Sequence, residues 1–263
     1  MLSKLLKYEI SATARIFLPV YGLILLLAVI NKFFWNSHID YLGIPRAILI
    51  NVYVMAIIAA FVITLLVTIQ RFYKNLLGDE GYLSFTLPVK VHSHIDAKMI
   101  VTLIWIVLSV LVSIISAFIF WANADTLTGL SRMCAGIREV YQTCGLPAYL
   151  ITLEFIILAI VGTLSSILKI YVAIVMGQLV KRHKILVGIG AYLALNIIEQ
   201  TVTSILFTAF NRQILAYFEL FDDSFPILQT EMGLLICILY VAIYGVIFYS
   251  FTTWMLSKRL NLE

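Results

Sequence analysis

The sequence predicts an all-α fold: a polytopic membrane protein of about six transmembrane helices, preceded by an N-terminal interfacial amphipathic helix. Three observations carry that prediction: the composition, the blocks into which the apolar residues fall, and the sidedness of the basic residues. The 263 residues are 62% hydrophobic and 12% charged, with a mean hydropathy of +1.04. Soluble domains run at about 45–50% apolar and about 25% charged. A soluble chain of this composition would lack the polar surface to cover its core.

The apolar residues come in long uninterrupted blocks. About 20 helical residues cross about 30 Å of hydrocarbon, so such blocks read as membrane spans. The predicted spans are 17–35, 47–71, 96–121, 148–177, 185–210 and 231–257. The fourth is long enough to tilt or break, with Gly162 the candidate bend. The length suits one membrane domain, with no room for an added soluble domain of ordinary size. Charge recurs every few residues through Arg15, so a cleavable leader is not expected and the first span should stay as an anchor.

Orientation follows from the basic residues of the connections. One side holds Lys4, Lys7, Arg15, Arg71, Lys74, Lys90, Lys98, Lys181, Arg182, Lys184, Lys258 and Arg259. The other holds Lys32, Arg46, Arg132, Arg138 and Arg212, while Lys169 falls within a span. The richer side should be cytoplasmic, which puts both termini there. Basic loops beside anionic headgroups account for the net charge of +4, so no nucleic-acid partner is implied.

Residues 1–16 come first in chain order. Leu2, Leu5, Leu6 and Ile10 recur at helical spacing, with Lys4, Lys7 and Ser11 elsewhere, as in a helix lying on the cytoplasmic leaflet. A simple basic flank that fixes topology is the alternative. The cytoplasmic stretch 72–95 is longer than two neighbouring spans need. Leu76, Leu77, Tyr82, Leu83, Phe85 and Leu87 give it apolar anchors, and Gly78 and Gly81 allow turns around Asp79 and Glu80. It reads either as a protein-docking surface or as a self-packed loop with a solvated acidic turn. On the outer side, 211–230 is apolar through Ile214, Leu215, Tyr217, Phe218, Leu220 and Phe221, then closed by Asp222, Asp223 and Pro226. It is too short to span, so a re-entrant stretch is expected, either a short helix dipping into the outer leaflet or one capping an external vestibule.

Ionisable residues inside spans are costly and tend to face protein or water. At about 1.5 Å per residue, Glu154 lies about 9 Å and Glu199 about 16 Å from the outer ends of their spans. The two either share an outer-half cavity that favours a cationic cargo or holds one proton between them, or serve packing through neighbours such as Asn196, Gln200 and Thr201. Lys169 is expected to snorkel to the cytoplasmic headgroups. Cys134 and Cys144 share one polar external loop and can form a disulfide if it faces an oxidising space, whereas Cys237 reads as a core residue. His92 and His94 are two apart, so they face different ways on a helix, and no cysteine or second histidine pair is nearby, so no metal site is expected. No catalytic motif is present: neither G-x-S-x-G nor H-E-x-x-H occurs in a span.

The run Gly78-Asp79-Glu80-Gly81-Tyr82-Leu83-Ser84-Phe85-Thr86-Leu87-Pro88-Val89 resembles the loop between the second and third spans in six-span permeases of Gram-positive bacterial ABC exporters, the type-2 group. The order of parts is similar over nearly the whole chain. The resemblance implies a permease domain over 1–263 in a bacterial plasma membrane, exporting a peptide, antibiotic or lipid-like compound. It makes 72–95 the coupling loop, with Leu77, Gly78, Asp79, Glu80, Gly81, Tyr82 and Phe85 meeting a separate cytoplasmic ABC ATPase. It also implies a second permease, identical or different, completing the path. Members of the family often carry a Ser-Arg type pair after the Pro-Val, where this chain has Lys90-Val91. The chain has no G-x-x-x-x-G-K-[ST] loop, so no enzyme activity is expected of it, and ATP and Mg would be held by the partner. The alternatives are an ATP-independent transporter or channel, or an immunity-type protein that binds a peptide without moving it.

Overall fold

A computed structural model describes residues 2–36, 43–74, 91–180, 182–220 and 226–258. Among them are seven helices: α1 (Leu2–Asn36), α2 (Gly43–Phe72), α3 (Val91–Trp121), α4 (Ala124–Cys144), α5 (Leu146–Gln178), α6 (Lys184–Leu220) and α7 (Pro226–Lys258). Six of them, all but α4, are long and apolar enough to cross a membrane. The chain is thus an all-α, multi-pass membrane protein, since in lipid a helix meets every backbone hydrogen bond within its own segment.

The helices run longer than the sequence blocks suggest. α1 absorbs both the interfacial stretch and the first span in one helix of 35 residues, continuing through Pro19. At 1.5 Å per residue that is about 52 Å, well beyond the hydrocarbon. α5 is unbroken through Gly162, and α6 runs on to Leu220, so the first half of the expected re-entrant stretch prolongs the fifth span. Residues 221–225 lie outside the described residues.

The segment between the third and fourth spans is helix α4 rather than a loop. Its residues are mostly exposed. Cys134 and Cys144 are both free thiols. Ten residues of helix separate them by about 15 Å, whereas bridged Cα atoms stand about 4.4–6.8 Å apart. The disulfide is therefore ruled out by the geometry of α4. The turn into α5 is made by Gly145, whose φ of 62° is the left-handed conformation that glycine adopts without strain, with a proline in the first turn of α5.

The described helices fall into two compact units. The first is built on α1, α2 and α3. Phe17, Tyr21, Val67, Val101 and Trp105 form one core cluster, with Leu6 and Ile10 packed against it. Two of the residues assigned to a membrane-facing stripe thus face protein. Ile24, Ala28, Tyr53 and Ala60 form a second cluster. Phe17 stacks on Trp105 with centroids 4.4 Å apart. Buried hydroxyls are matched between helices: Tyr21 with Ser109 at 2.8 Å, Tyr53 with Ser116 at 2.9 Å, and the Trp105 indole donating to Thr13 at 2.8 Å. Without a hydrophobic drive between helices in lipid, such bonds and close packing hold the bundle together.

The second unit packs α5 against both α6 and α7. Two glycines set its closest approaches. A Cβ at Gly177 would meet the Lys184 carbonyl oxygen at 2.6 Å and the Gly188 Cα at 3.1 Å. A Cβ at Gly245 would meet Ser165 Oγ at 2.7 Å, the hydroxyl that donates to the Val241 carbonyl at 3.0 Å.

Candidate functional site

Two clusters of paired charges stand out among the described helices, one in each unit. In the first, Glu9 on α1 accepts from Lys98 Nζ at 2.6 Å and from Arg71 Nη1 at 3.2 Å. Arg71 lies in the last turn of α2, and Lys98 lies two turns into α3. One carboxylate therefore fastens both helices that flank the predicted coupling loop. The Lys98 side chain is only 6% exposed, and Glu9 15%. Removal of so buried an ammonium from water is offset only by a close anion. Glu9 was not singled out from the sequence, where it looks like one more charge in a basic flank. A signal was present, however: Glu9 is the only acidic residue before Asp40.

The predicted contact residues Leu77, Gly78, Asp79, Glu80, Gly81, Tyr82 and Phe85 lie outside the described residues. Of the two histidines beyond them, His92 is exposed and His94 is buried, as positions two apart on a helix face different ways.

In the second unit, Lys169 on α5 turns toward α6. Its Nζ donates to Glu199 Oε2 at 2.5 Å and to Asn196 Oδ1 at 3.0 Å. This corrects the expectation that it snorkels. The end of α5 is nine residues away, about 14 Å, and two acceptors on the neighbouring helix are far closer. Asn196 is itself held by donating Nδ2 to the Tyr192 carbonyl at 2.8 Å. The pair opens onto a groove of about 540 Å³ lined by Lys169, Asn196, Glu199, Gln200, Thr203 and Ser204. On α6 these residues recur at the i, i+3, i+4, i+7 spacing of a single face. Thr203 is hydrogen-bonded to Tyr240 on α7, whose ring lies 4.9 Å from that of Tyr244.

Glu154 is not part of this groove. It sits 15 residues before Lys169, about 22 Å along α5, so the cavity shared by Glu154 and Glu199 is not formed. Glu154 Oε2 and Glu231 Oε1 are shielded from solvent and make no hydrogen bond among the described residues. A smaller groove of about 430 Å³ lies beside Arg138, Tyr141, Tyr149 and Thr152 where α4 meets α5.

Comparison with protein-family models, curated proteins and solved structures finds no match to this chain. The class that can be stated is therefore the one defined by the helices: a multi-pass membrane protein, with a charged, polar-lined groove inside its apolar spans.

Proposed function

We propose that the chain is the membrane-spanning subunit of an ABC exporter, moving a peptide, antibiotic or lipid-like compound at the expense of ATP hydrolysed by a separate ATPase. In this reading both termini are cytoplasmic, and ATPase closure displaces the loop around Asp79 and Glu80. The observation that carries it is the Glu9 carboxylate bonded to Arg71 and Lys98. A coupling loop transmits force only if its ends are held, and here both flanking helices are tied to α1. Displacement of the loop would then reach three spans together, a rigid-body switch of the first bundle.

The test is a mild-detergent pull-down from the native membrane, with mass spectrometry of what is recovered. A stoichiometric ATPase is expected, and a second six-span chain would distinguish a mixed pair from an identical one. Charge reversal at Asp79 and Glu80 should reduce ATPase recovery. Repeated recovery of the chain alone, even after cross-linking, would overturn the reading.

One observation favours an ATP-independent transporter instead. The Lys169–Glu199 groove is formed within a single chain, and ionisable groups at such depth mark substrate or ion pathways. Transport by liposomes that contain only this chain would decide for that alternative.

A further inference from the structure

The wall of the α5–α6 groove carries one positive and one negative side chain, so it is neutral overall while their ion pair is intact. Neither partner is saturated. A lysine ammonium has three N–H donors, of which two go to Glu199 Oε2 and Asn196 Oδ1. Glu199 Oε1 accepts no hydrogen bond from the described residues, and the side chain is 30% exposed. Gln200 and Ser204, both exposed, continue the polar wall. From Asn196 to Ser204 this strip rises about 12 Å along α6.

Charge in a low-dielectric site is tolerated only when it is balanced. A net cation entering here would compete with Lys169 for Glu199. A net anion would compete with Glu199 for Lys169. In either case one charge is left over. A ligand that carries both signs adds to the existing pair without breaking it. We propose that the groove binds a net-neutral zwitterion, its ammonium against Glu199 Oε1 and its anionic group against the remaining Lys169 donor. The volume suits a small molecule, and two sources share this chemistry: a short peptide with free termini and a zwitterionic phospholipid headgroup. This deepens the transport reading by naming the class of cargo, but the binding site stands without an ATPase.

The full chain, purified into nanodiscs of phosphatidylglycerol, is tested for equilibrium binding of radiolabelled trialanine. Its C-terminal amide, a net cation, and its N-acetyl form, a net anion, are measured beside it. Native mass spectrometry from a mixture of phosphatidylglycerol and phosphatidylethanolamine reports retained lipid. Trialanine should bind at least about tenfold more tightly than either charged form, a factor worth about 1.4 kcal/mol, or phosphatidylethanolamine should be retained over phosphatidylglycerol. The first result assigns a soluble zwitterion and the second a headgroup.

Single neutralisations should then switch the preference in opposite directions. Glu199→Gln leaves a positive wall and favours the N-acetyl peptide, whereas Lys169→Gln leaves a negative wall and favours the amide. A purely structural ion pair would give no such reversal. The proposal fails if the wild-type chain prefers a charged peptide. It also fails if the chain holds neither trialanine nor phosphatidylethanolamine, or if the singly neutralised chains keep the wild-type preference. No ATPase is present in this experiment, so its failure leaves the pull-down result standing, and the converse also holds.

Discussion

Glu9 carries more of the fold than its place in the sequence suggests. Lys98 is nearly sealed from water and has the Glu9 carboxylate at 2.6 Å, with Arg71 on the same group at 3.2 Å. Glu9→Gln keeps the shape but removes the anion. The expected cost is about 1.5–3 kcal/mol, the range for hydrogen bonds to charged groups. It should appear as a lower melting temperature in detergent, and an unchanged melting temperature would show that the triad contributes nothing. Lys169 teaches the same lesson in the second unit. Its depth was readable from the sequence and its partner was not, because hydropathy places a residue along the membrane normal but says nothing of its direction around the helix. Glu199 was selected for its cost in lipid, and that argument identified a residue of the groove. The same argument selected Glu154, which the structure places about 22 Å from Lys169 along α5.

At the scale of elements, the six apolar blocks were legible because about 20 apolar residues have few alternatives to a span. Less legible was where the helices stop. The N-terminal stretch and the first half of 211–230 were read as separate pieces because their polarity changes, yet backbone hydrogen bonding continues across both. Helix α4 is legible only in part: its polar composition reads as loop, although Leu127, Leu130, Cys134, Ile137 and Tyr141 recur at the spacing of one helical face. A close approach of α5 to α6 rests on Gly177, where a side chain would strike backbone atoms that cannot rotate away. Gly177→Val should therefore loosen α5 from α6 at a cost of about 1–3 kcal/mol, as over-packing does elsewhere. Thermal unfolding in detergent checks this, and a chain that melts at the wild-type temperature would mean that the turn between the two helices packs differently.

For the whole molecule, the excess of basic residues on one side fixes an expected orientation, and α4 provides the means to test it. Cys134 is exposed and free. It should react with a membrane-impermeant maleimide in intact cells, while Ser3→Cys should react only after permeabilisation. The reverse pattern would invert the topology and remove the loop at Asp79 and Glu80 from any cytoplasmic ATPase. Prior treatment with a reductant should leave Cys134 labelling unchanged. The bond between Lys169 and Glu199 bears finally on how the chain is made. Each ionised residue at the centre of a span resists transfer from the translocon into lipid by about 2.5–3.5 kcal/mol. Their helices are consecutive, and the Gly177 backbone already touches the start of α6. Handed to the bilayer as one hairpin, the two enter as a neutral dipole. Insertion of α5 and α6 as a pair is therefore expected to cost less than insertion of either helix alone.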